Sequence, residues 1–351
     1  MSTDSIRPLK FLACLIIVCC LFSCSKQPEL KENNNPNSYT LVRDILWASP
    51  DGFDLTMDIY TPSTGKDSYP VVVMFHGGGW LMNNKSIMDQ SAAYLATNSD
   101  YVICNINYRL LSDNNNSTTM DAIVNDAFGA VLWVKEHIRE FDGDPARVAV
   151  TGDSAGGHLA AMIVNSGTRL SSEPFSAKSL NFTPSYLPEA QSAEDVRLRN
   201  GLAVQAAILN YPYEFYQAAL DGFENKTNPI WWFQGAMGRG FLGDGFNVED
   251  DTAVYMALSA LKSIPQATER HLPPQLLTVG SNDPLVTPAS VKTYMKALEA
   301  AGQPVQYWEY QDKSHAFLDS GSNRLLQTSF ELDAPPALKV MVRFLDDIFY
   351  P

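Results

Sequence analysis

An α/β fold, with a mostly parallel central sheet flanked by helices, is predicted for residues 41–351 by two observations. Short, continuously apolar runs recur along the chain, as is typical of strands covered on both faces. These runs are 71–75 (VVVMF), 102–106 (VICNI), 148–151 (VAVT), 206–209 (AAIL) and 276–279 (LLTV). Helix-like stretches separate the runs, and strands that alternate with helices predict parallel pairing through right-handed crossovers.

The remaining elements follow in chain order. Alternating segments at 42–48 and 55–60 predict a leading β-hairpin, because the Ser-Pro-Asp-Gly sequence between them suits a tight turn. Residues 120–141 carry apolar side chains at helical spacing after a Ser-Thr-Thr start, and 289–301 is a helix former that stops at Gly302. The alternating segment 305–310 predicts a further strand.

Two long segments, about 166–200 and 213–267, lack the periodicity of strands or helices, and the second contains the aromatic triplet 231–233 (WWF). Insertions after sheet strands commonly become lids or pocket walls, and we expect these two to cover the site. The alternative is a surface-packed insertion whose aromatic side chains fill a core of their own.

The N-terminal residues are set apart from the fold. Arg7 and Lys10 precede a 13-residue apolar run, FLACLIIVCCLFS, which is too short to cross a bilayer. The run closes on Leu-Phe-Ser-Cys24, which resembles the bacterial lipoprotein box. We expect residues 1–23 to be a signal peptide, Cys24 to carry the lipid, and 24–40 to be a flexible polar tether. The alternative is an uncleaved short anchor or a buried strand. The resemblance implies an exported, membrane-anchored protein on the periplasmic or cell-surface face.

The composition excludes several classes of protein. The 351 residues are 45% apolar and 18% charged, which argues against disorder, collagen and a disulfide scaffold. The formal net charge of −14 argues against nucleic acid as a partner. Of the 5 cysteines, only Cys104 lies in the mature globular part, in an apolar run that predicts a buried side chain rather than a nucleophile.

A Gly-x-Ser-x-Gly pattern carries the first chemical indication. Gly152-Asp153-Ser154-Ala155-Gly156 lies between the apolar run 148–151 and the helix-like stretch 158–165. This strand-turn-helix setting is typical of a nucleophile elbow, and Ser154 is the predicted nucleophile. A side chain at either glycine would collide with neighbouring backbone in so tight a turn.

A glycine triplet carries the second indication. His76-Gly77-Gly78-Gly79-Trp80 follows the predicted strand 71–75 directly. Successive glycines let backbone N–H groups face a reacting oxygen, and acyl transfer needs such donors because negative charge develops on the carbonyl oxygen.

These two motifs together resemble those of the hormone-sensitive-lipase-like branch of the α/β-hydrolases, a family of carboxylesterases. The resemblance extends from about residue 41 to the C-terminus and implies the α/β-hydrolase fold. It implies oxyanion donors at the N–H groups of Gly78, Gly79 and Ala155, and a structural role for His76. Only about 16 tether residues replace the family's N-terminal cap helices. This compact form is more similar to acetyl and feruloyl esterase relatives that act on plant cell-wall glycans.

The fold implies the chain order nucleophile, acid, histidine. Asp283, in Asp-Pro-Leu, and His315, in His-Ala-Phe, resemble the family's remaining motifs, with alanine in place of the usual glycine after the histidine. His315 would accept the proton of Ser154, and Asp283 would orient the imidazole. Asp312 and Asp319 flank His315 and compete with Asp283 for that role.

Other candidates are weaker. His137, His158 and His271 lack metal-ligand spacing, and no metal is implied. Ser259 and Lys262 match the Ser-x-x-Lys pattern of β-lactamases without its companion motifs, and no nucleotide-binding glycine pattern follows a first strand. We therefore expect a membrane-tethered serine carboxylesterase that needs no cofactor and acts on short-chain esters, including acetylated or feruloylated glycans. The alternatives are a peptidase or amidase with the same triad and a non-catalytic binding protein on this scaffold.

Overall fold

The computed structural model describes residues 38–351. The expected signal peptide 1–23, the lipidation site Cys24 and the tether as far as residue 37 lie outside the described residues. Eight strands form the main sheet: β1 (Tyr39–Ala48), β2 (Leu55–Pro62), β3 (Tyr69–Phe75), β4 (Val102–Ile106), β5 (Gly143–Asp153), β6 (Ala206–Asn210), β7 (Gln275–Gly280) and β8 (Val305–Tyr310). A separate two-stranded ribbon joins β9 (Ser322–Asn323) to β10 (Thr328–Ser329).

The strands of the main sheet are ordered β1-β2-β4-β3-β5-β6-β7-β8. Strand β2 is antiparallel to β1 and β4, and all the other neighbours are parallel. Each of the five apolar runs lies inside a strand of the parallel part, which confirms the predicted fold class. Strands β3, β4, β6 and β7 are buried along their whole length, since helices cover both faces of the sheet.

The leading hairpin is confirmed, with a turn of 3₁₀ helix at Pro50–Gly52. Its first strand begins earlier than expected, because Tyr39 pairs with Pro62 and Thr40 with Thr61. The last two residues assigned to the tether are therefore part of the sheet.

Eight α-helices of six or more residues lie in the described part of the chain: α1 (Asp89–Asn98), α2 (Met120–His137), α3 (Ala155–Ser166), α4 (Ala193–Leu198), α5 (Phe215–Leu220), α6 (Thr252–Ala257), α7 (Pro288–Ala300) and α8 (Phe330–Phe349). The helix predicted at 120–141 ends at His137 and continues as one turn of 3₁₀ helix, Ile138–Phe141. The turn ends because Asp142 adopts a left-handed conformation with φ 59°.

The two long irregular segments pack in different places. In the first, Phe182 packs edge-to-face on Phe128 of α2, and the Ser185 N–H donates to the Asn125 carbonyl at 3.0 Å. The second lies beside the glycine triplet, where its phenylalanines surround Trp80. Within residues 38–351, no helix is both long enough and apolar enough to span a bilayer.

Candidate active site

Ser154 occupies a strained turn between β5 and α3. Its backbone has φ 52° and ψ −115°, a conformation that L-residues rarely adopt. A β-carbon built on Gly152 would overlap the backbone of Gly156, and one built on Gly156 would overlap the carbonyl of Phe75. Both glycines are therefore required by close backbone approach, and the turn presents the Ser154 hydroxyl at the carboxyl end of the sheet.

The structure brings Ser154, His315 and Asp283 together. The Nε2 of His315 lies 3.1 Å from the Ser154 hydroxyl oxygen, and its Nδ1 lies 2.7 Å from Oδ2 of Asp283. The other oxygen of Asp283 accepts the N–H groups of Leu285 and Val286 at 2.9 and 2.8 Å. Because the carboxylate can only accept, Nδ1 carries the proton and Nε2 is free to accept one from Ser154.

Of the three carboxyl groups that competed for this position, Asp283 is the one bonded to His315. It follows β7, whereas Asp312 lies on the exposed turn after β8. Asp319 follows His315 by four residues and is partly buried. Burial beside Asp153 raises the pKa of Asp319 well above the usual range of a carboxyl group.

The ring of Tyr211 packs against the imidazole of His315. Its ring centroid lies 4.7 Å from that of His315, at an angle of 62°, and 4.8 Å from that of Phe317. The residue follows β6, is fully buried and has φ 38°. Sequence analysis missed it, although Asn-Tyr-Pro immediately after a predicted strand is a signal that could have found it.

The glycine triplet forms a loop with positive φ at Gly78 (121°) and Gly79 (61°). The Gly78 carbonyl accepts the N–H groups of Leu81 and Met82 at 3.1 and 3.0 Å, which closes the turn. Within residues 38–351, the N–H groups of Gly78, Gly79 and Ala155 donate to no protein atom. Three unused donors thus lie in the segments expected to hold an oxyanion.

His76 lies at the base of this loop, where the resemblance places a structural histidine. Its ring stacks on that of Tyr108 at 4.3 Å, and the Tyr108 hydroxyl donates to the His76 carbonyl at 2.6 Å. The Nδ1 of His76 is 2.7 Å from the Gly77 carbonyl oxygen. Burial lowers the pKa of His76 to about 4, so the ring is neutral at physiological pH.

A cluster of buried aromatic rings lies beside the loop. Trp80 lies at its centre and meets Phe215, Phe223 and Phe241 edge-to-face, at centroid distances of 5.8 to 6.0 Å. All three phenylalanines come from the second irregular segment. The second segment therefore packs beside the glycine loop, and the covering role expected for both segments stays a prediction.

The weaker candidates have structural partners. The Ser259 hydroxyl bonds to Glu214, and the ammonium of Lys262 lies over the ring of Tyr216. His158 bonds through Nε2 to the Leu258 carbonyl at 2.7 Å, and burial lowers its pKa to about 4. Cys104 is buried, as predicted. Among residues 38–351, no group of three or more His, Cys, Asp or Glu side chains is placed to hold a metal ion.

A family model described as alpha/beta hydrolase fold matches residues 72–319. The chain belongs to the α/β-hydrolases. Within that family it belongs with the hormone-sensitive-lipase-like carboxylesterases and is a carboxylic ester hydrolase. Carboxylesterase NlhH of Mycobacterium tuberculosis is 27% identical over 270 residues, which cover 76% of this chain and 72% of the relative.

Two further comparisons agree with this assignment. Carboxylic ester hydrolase LipN of Mycobacterium tuberculosis is 29% identical over 293 residues, covering 81% of this chain and 66% of LipN. Among solved structures, Thermogutta terrifontis esterase 2 superposes with a TM-score of 0.62 at 22% identity, covering 88% of this chain and 94% of that one. The structural likeness shows the same fold.

Proposed function

We propose that this hydrolase cleaves short-chain carboxylic esters through a covalent intermediate on Ser154. The observation that carries the proposal is the continuous hydrogen-bonded line from the Ser154 hydroxyl through His315 to Asp283. A serine hydroxyl is a weak nucleophile by itself, and a neutral imidazole within hydrogen-bond distance is the base that activates it.

In the proposed reaction the Ser154 oxygen attacks the ester carbonyl while its proton passes to Nε2 of His315. The carbonyl oxygen becomes negatively charged and is stabilised by the unused N–H groups of Gly78, Gly79 and Ala155. The imidazolium then protonates the departing alcohol, which leaves an acyl-enzyme. Water attacks that ester with His315 as base, and the acid departs as Ser154 regains its proton.

The proposed substrates are small acyl groups on an alcohol, with acetylated or feruloylated glycans as the natural carriers. A short acyl group is supported by the aromatic cluster around Trp80, because the ring of Phe223 lies 3.5 Å from the β-carbon position of Gly79 in the oxyanion loop.

We further propose that the enzyme is exported and anchored through lipid on Cys24. The support is the sequence alone: a basic start, a 13-residue apolar run and a cysteine at its end. With Cys24→Ser expressed in a bacterial host, we expect loss of labelling by an alkyne-palmitate analogue and release from the membrane fraction. Cys104→Ser is the matched control. Equal labelling of wild type and Cys24→Ser would refute the anchor.

The catalytic proposal is tested with Ser154→Ala. We expect wild type, but not the variant, to react with a fluorophosphonate probe and to hydrolyse p-nitrophenyl acetate. Matched ester and anilide substrates then separate an esterase from an amidase, and esters from C2 to C12 with acetylated xylan give the substrate class. Wild-type hydrolysis by Ser154→Ala would overturn the assignment, and activity confined to long chains would overturn the short-acyl proposal.

A further inference from the structure

Phe223 of the second irregular segment lies directly against the oxyanion loop. A β-carbon built on Gly79 would have just two close neighbours, the Cε2 and Cζ atoms of Phe223, both at 3.5 Å. The tip of the phenyl ring therefore lies on the side of Gly79 toward which a side chain would project.

The ring cannot easily move away. The Phe223 carbonyl accepts Nδ2 of Asn228 at 2.9 Å and Nε1 of Trp231 at 3.0 Å, so its backbone is held at two points. Its ring stacks on Phe241 at 5.3 Å and 13°, and meets Trp80 edge-to-face at 6.0 Å. Each of these neighbours except Asn228 is completely buried, and a packed core resists displacement.

Exposure distinguishes Phe223 from the rings that pack on it. Trp80, Trp231 and Phe241 are 0% exposed, whereas Phe223 retains 7% of its surface. Tyr213 is a second ring of the cluster with exposed surface, since it meets Trp80 edge-to-face at 5.6 Å, and its N–H donates to the Ser154 carbonyl at 3.0 Å. Among the phenylalanines around Trp80, Phe223 is the one that retains exposed surface.

The chemistry decides which part of an ester faces the ring. In the tetrahedral intermediate, the departing oxygen must lie near Nε2 of His315 to be protonated, and the oxyanion must lie at the glycine loop. The acyl substituent takes the remaining direction, away from His315. The ring neighbours of Phe223 are Trp80, Trp231 and Phe241, whereas His315 packs on Tyr211.

We infer that the ring of Phe223 sets the length of acyl chain that the site accepts, by closing the acyl side of the oxyanion loop. This inference rests on the proposed function and adds a residue that determines its specificity. A short acyl group fits between Ser154 and the ring, and a longer one must displace a side chain that is held on three sides.

The test compares p-nitrophenyl acetate, butyrate, hexanoate and octanoate with purified wild type, Phe223→Ala and Phe223→Leu. We expect the octanoate-to-acetate ratio of kcat/KM to rise at least about tenfold in Phe223→Ala and by less in Phe223→Leu, since each accommodated methylene contributes to transition-state binding. The leucine variant keeps most of the volume and gives a folded protein if the alanine variant is too unstable to purify.

Phe215→Ala is the matched control. Phe215 belongs to the same cluster and packs on Phe241 at 4.8 Å, but the β-carbon position of Gly79 does not meet it. We expect Phe215→Ala to lower the melting temperature without changing the ratio. An equal rise in Phe215→Ala would mean general loosening and would overturn the inference.

The outcomes also separate this inference from the proposed function. Wild type that labels with fluorophosphonate and cleaves acetate, with the same chain-length ratio in both Phe223 variants, overturns the role of Phe223 alone. Wild type that already prefers octanoate overturns it too. Wild type that neither labels nor cleaves any ester overturns the proposed function, and the role of Phe223 with it.

Discussion

The carboxyl group of Asp153 lies where a side chain on Gly77 would have to be: a β-carbon on that glycine would overlap Oδ2 of Asp153 and lie 3.1 Å from its Cγ. The nucleophile turn and the oxyanion loop are thus in direct contact through Asp153, the residue before Ser154, and Gly77, the residue before Gly78. Burial raises the pKa of Asp153 to about 7.

Gly77→Ala is expected to impair catalysis through this contact. The added methyl must push the loop away from Asp153, which displaces the N–H groups of Gly78 and Gly79 from the reacting oxygen. Loss of a single oxyanion donor typically lowers kcat about a hundredfold or more, and we expect a loss of that order. The measurement is kcat for p-nitrophenyl acetate, with the melting temperature recorded in parallel.

Gly245→Ala is the control for that experiment. A β-carbon on Gly245 meets no atom within 4 Å, and its φ is not positive. We expect unchanged kcat in this variant. Wild-type kcat in Gly77→Ala would show that the loop and the nucleophile turn are not coupled.

Asp283→Asn is expected to lower kcat by about 10⁴-fold with little effect on folding. The asparagine oxygen can still accept the N–H groups of Leu285 and Val286, which turns its NH₂ group toward Nδ1 of His315. The imidazole must then carry its proton on Nε2 and cannot accept one from Ser154. Asp312→Asn, on the exposed turn near the same histidine, is expected to retain wild-type kcat. A large loss of kcat in Asp312→Asn with wild-type kcat in Asp283→Asn would assign the acid role to Asp312.

The five strands β3 to β7 were predictable because each contains a short apolar run that has to be covered on both faces. Helices α1 and α8 were not. Pro335 and Pro336 interrupt the helical pattern of α8, yet they lie in its second turn, where the buried face of Ala337, Leu338 and Met341 continues the helix. Helix α1 is short and rich in small polar residues, and its buried positions, including Leu95, pack against the sheet.

In the site, Ser154, Asp283 and His315 could be predicted because local motifs and a fixed chain order carry them. Tyr211 was missed although it directly follows a predicted strand, and Phe223 could not be predicted. Their roles depend on how the chain after β6 folds back onto the histidine and the glycine loop, and an irregular segment has no periodicity from which to derive that path. The second segment was expected to contribute a pocket wall, but which of its aromatic residues reaches the site is a property of the packed structure.

Arg109→Met is expected to destabilise the fold by roughly 3 to 5 kcal/mol, because it leaves the buried carboxylate of Asp126 without its cation. Asp126 accepts the Arg109 N–H, Nε and Nη2 groups at 3.0, 2.9 and 2.7 Å, and it also bonds to the hydroxyl of Ser185 in the first irregular segment. Burial opposes the charged form of Asp126, so the loss should be smaller at pH 5 than at pH 8. Urea unfolding of wild type and Arg109→Met at both pH values measures this loss of stability.

The Arg109 result has two controls. Arg147→Met breaks a partly exposed ion pair with Asp144 and is expected to cost less than about 1 kcal/mol. The double variant Arg109→Met with Asp126→Leu removes both charges and should recover part of the lost stability. Equal losses in the single and double variants would mean that Arg109 acts through packing alone.

Acid destabilisation is expected from the two buried histidines, His76 and His158. Burial lowers the pKa of each to about 4 from 6.5, so the unfolded chain binds protons below pH 6.5 while the folded chain does not. Their contribution to stability is complete above pH 6.5 and falls as the pH decreases toward 4, by up to about 3 kcal/mol for each. Asp153 and Asp319, whose pKa values are raised, contribute with the opposite sign. The contribution of a single histidine to the pH dependence of stability therefore has to be measured with a variant that removes it.

His158→Gln isolates it, because the amide can still donate to the Leu258 carbonyl but does not titrate. We expect the stability lost between pH 6.5 and 4 to be smaller in His158→Gln than in wild type, by up to about 3 kcal/mol, as measured by urea unfolding across that range. Parallel curves for wild type and His158→Gln would mean that the folded protein accepts the proton on His158 without cost, which is incompatible with a ring that is fully buried and bonded only to a carbonyl oxygen.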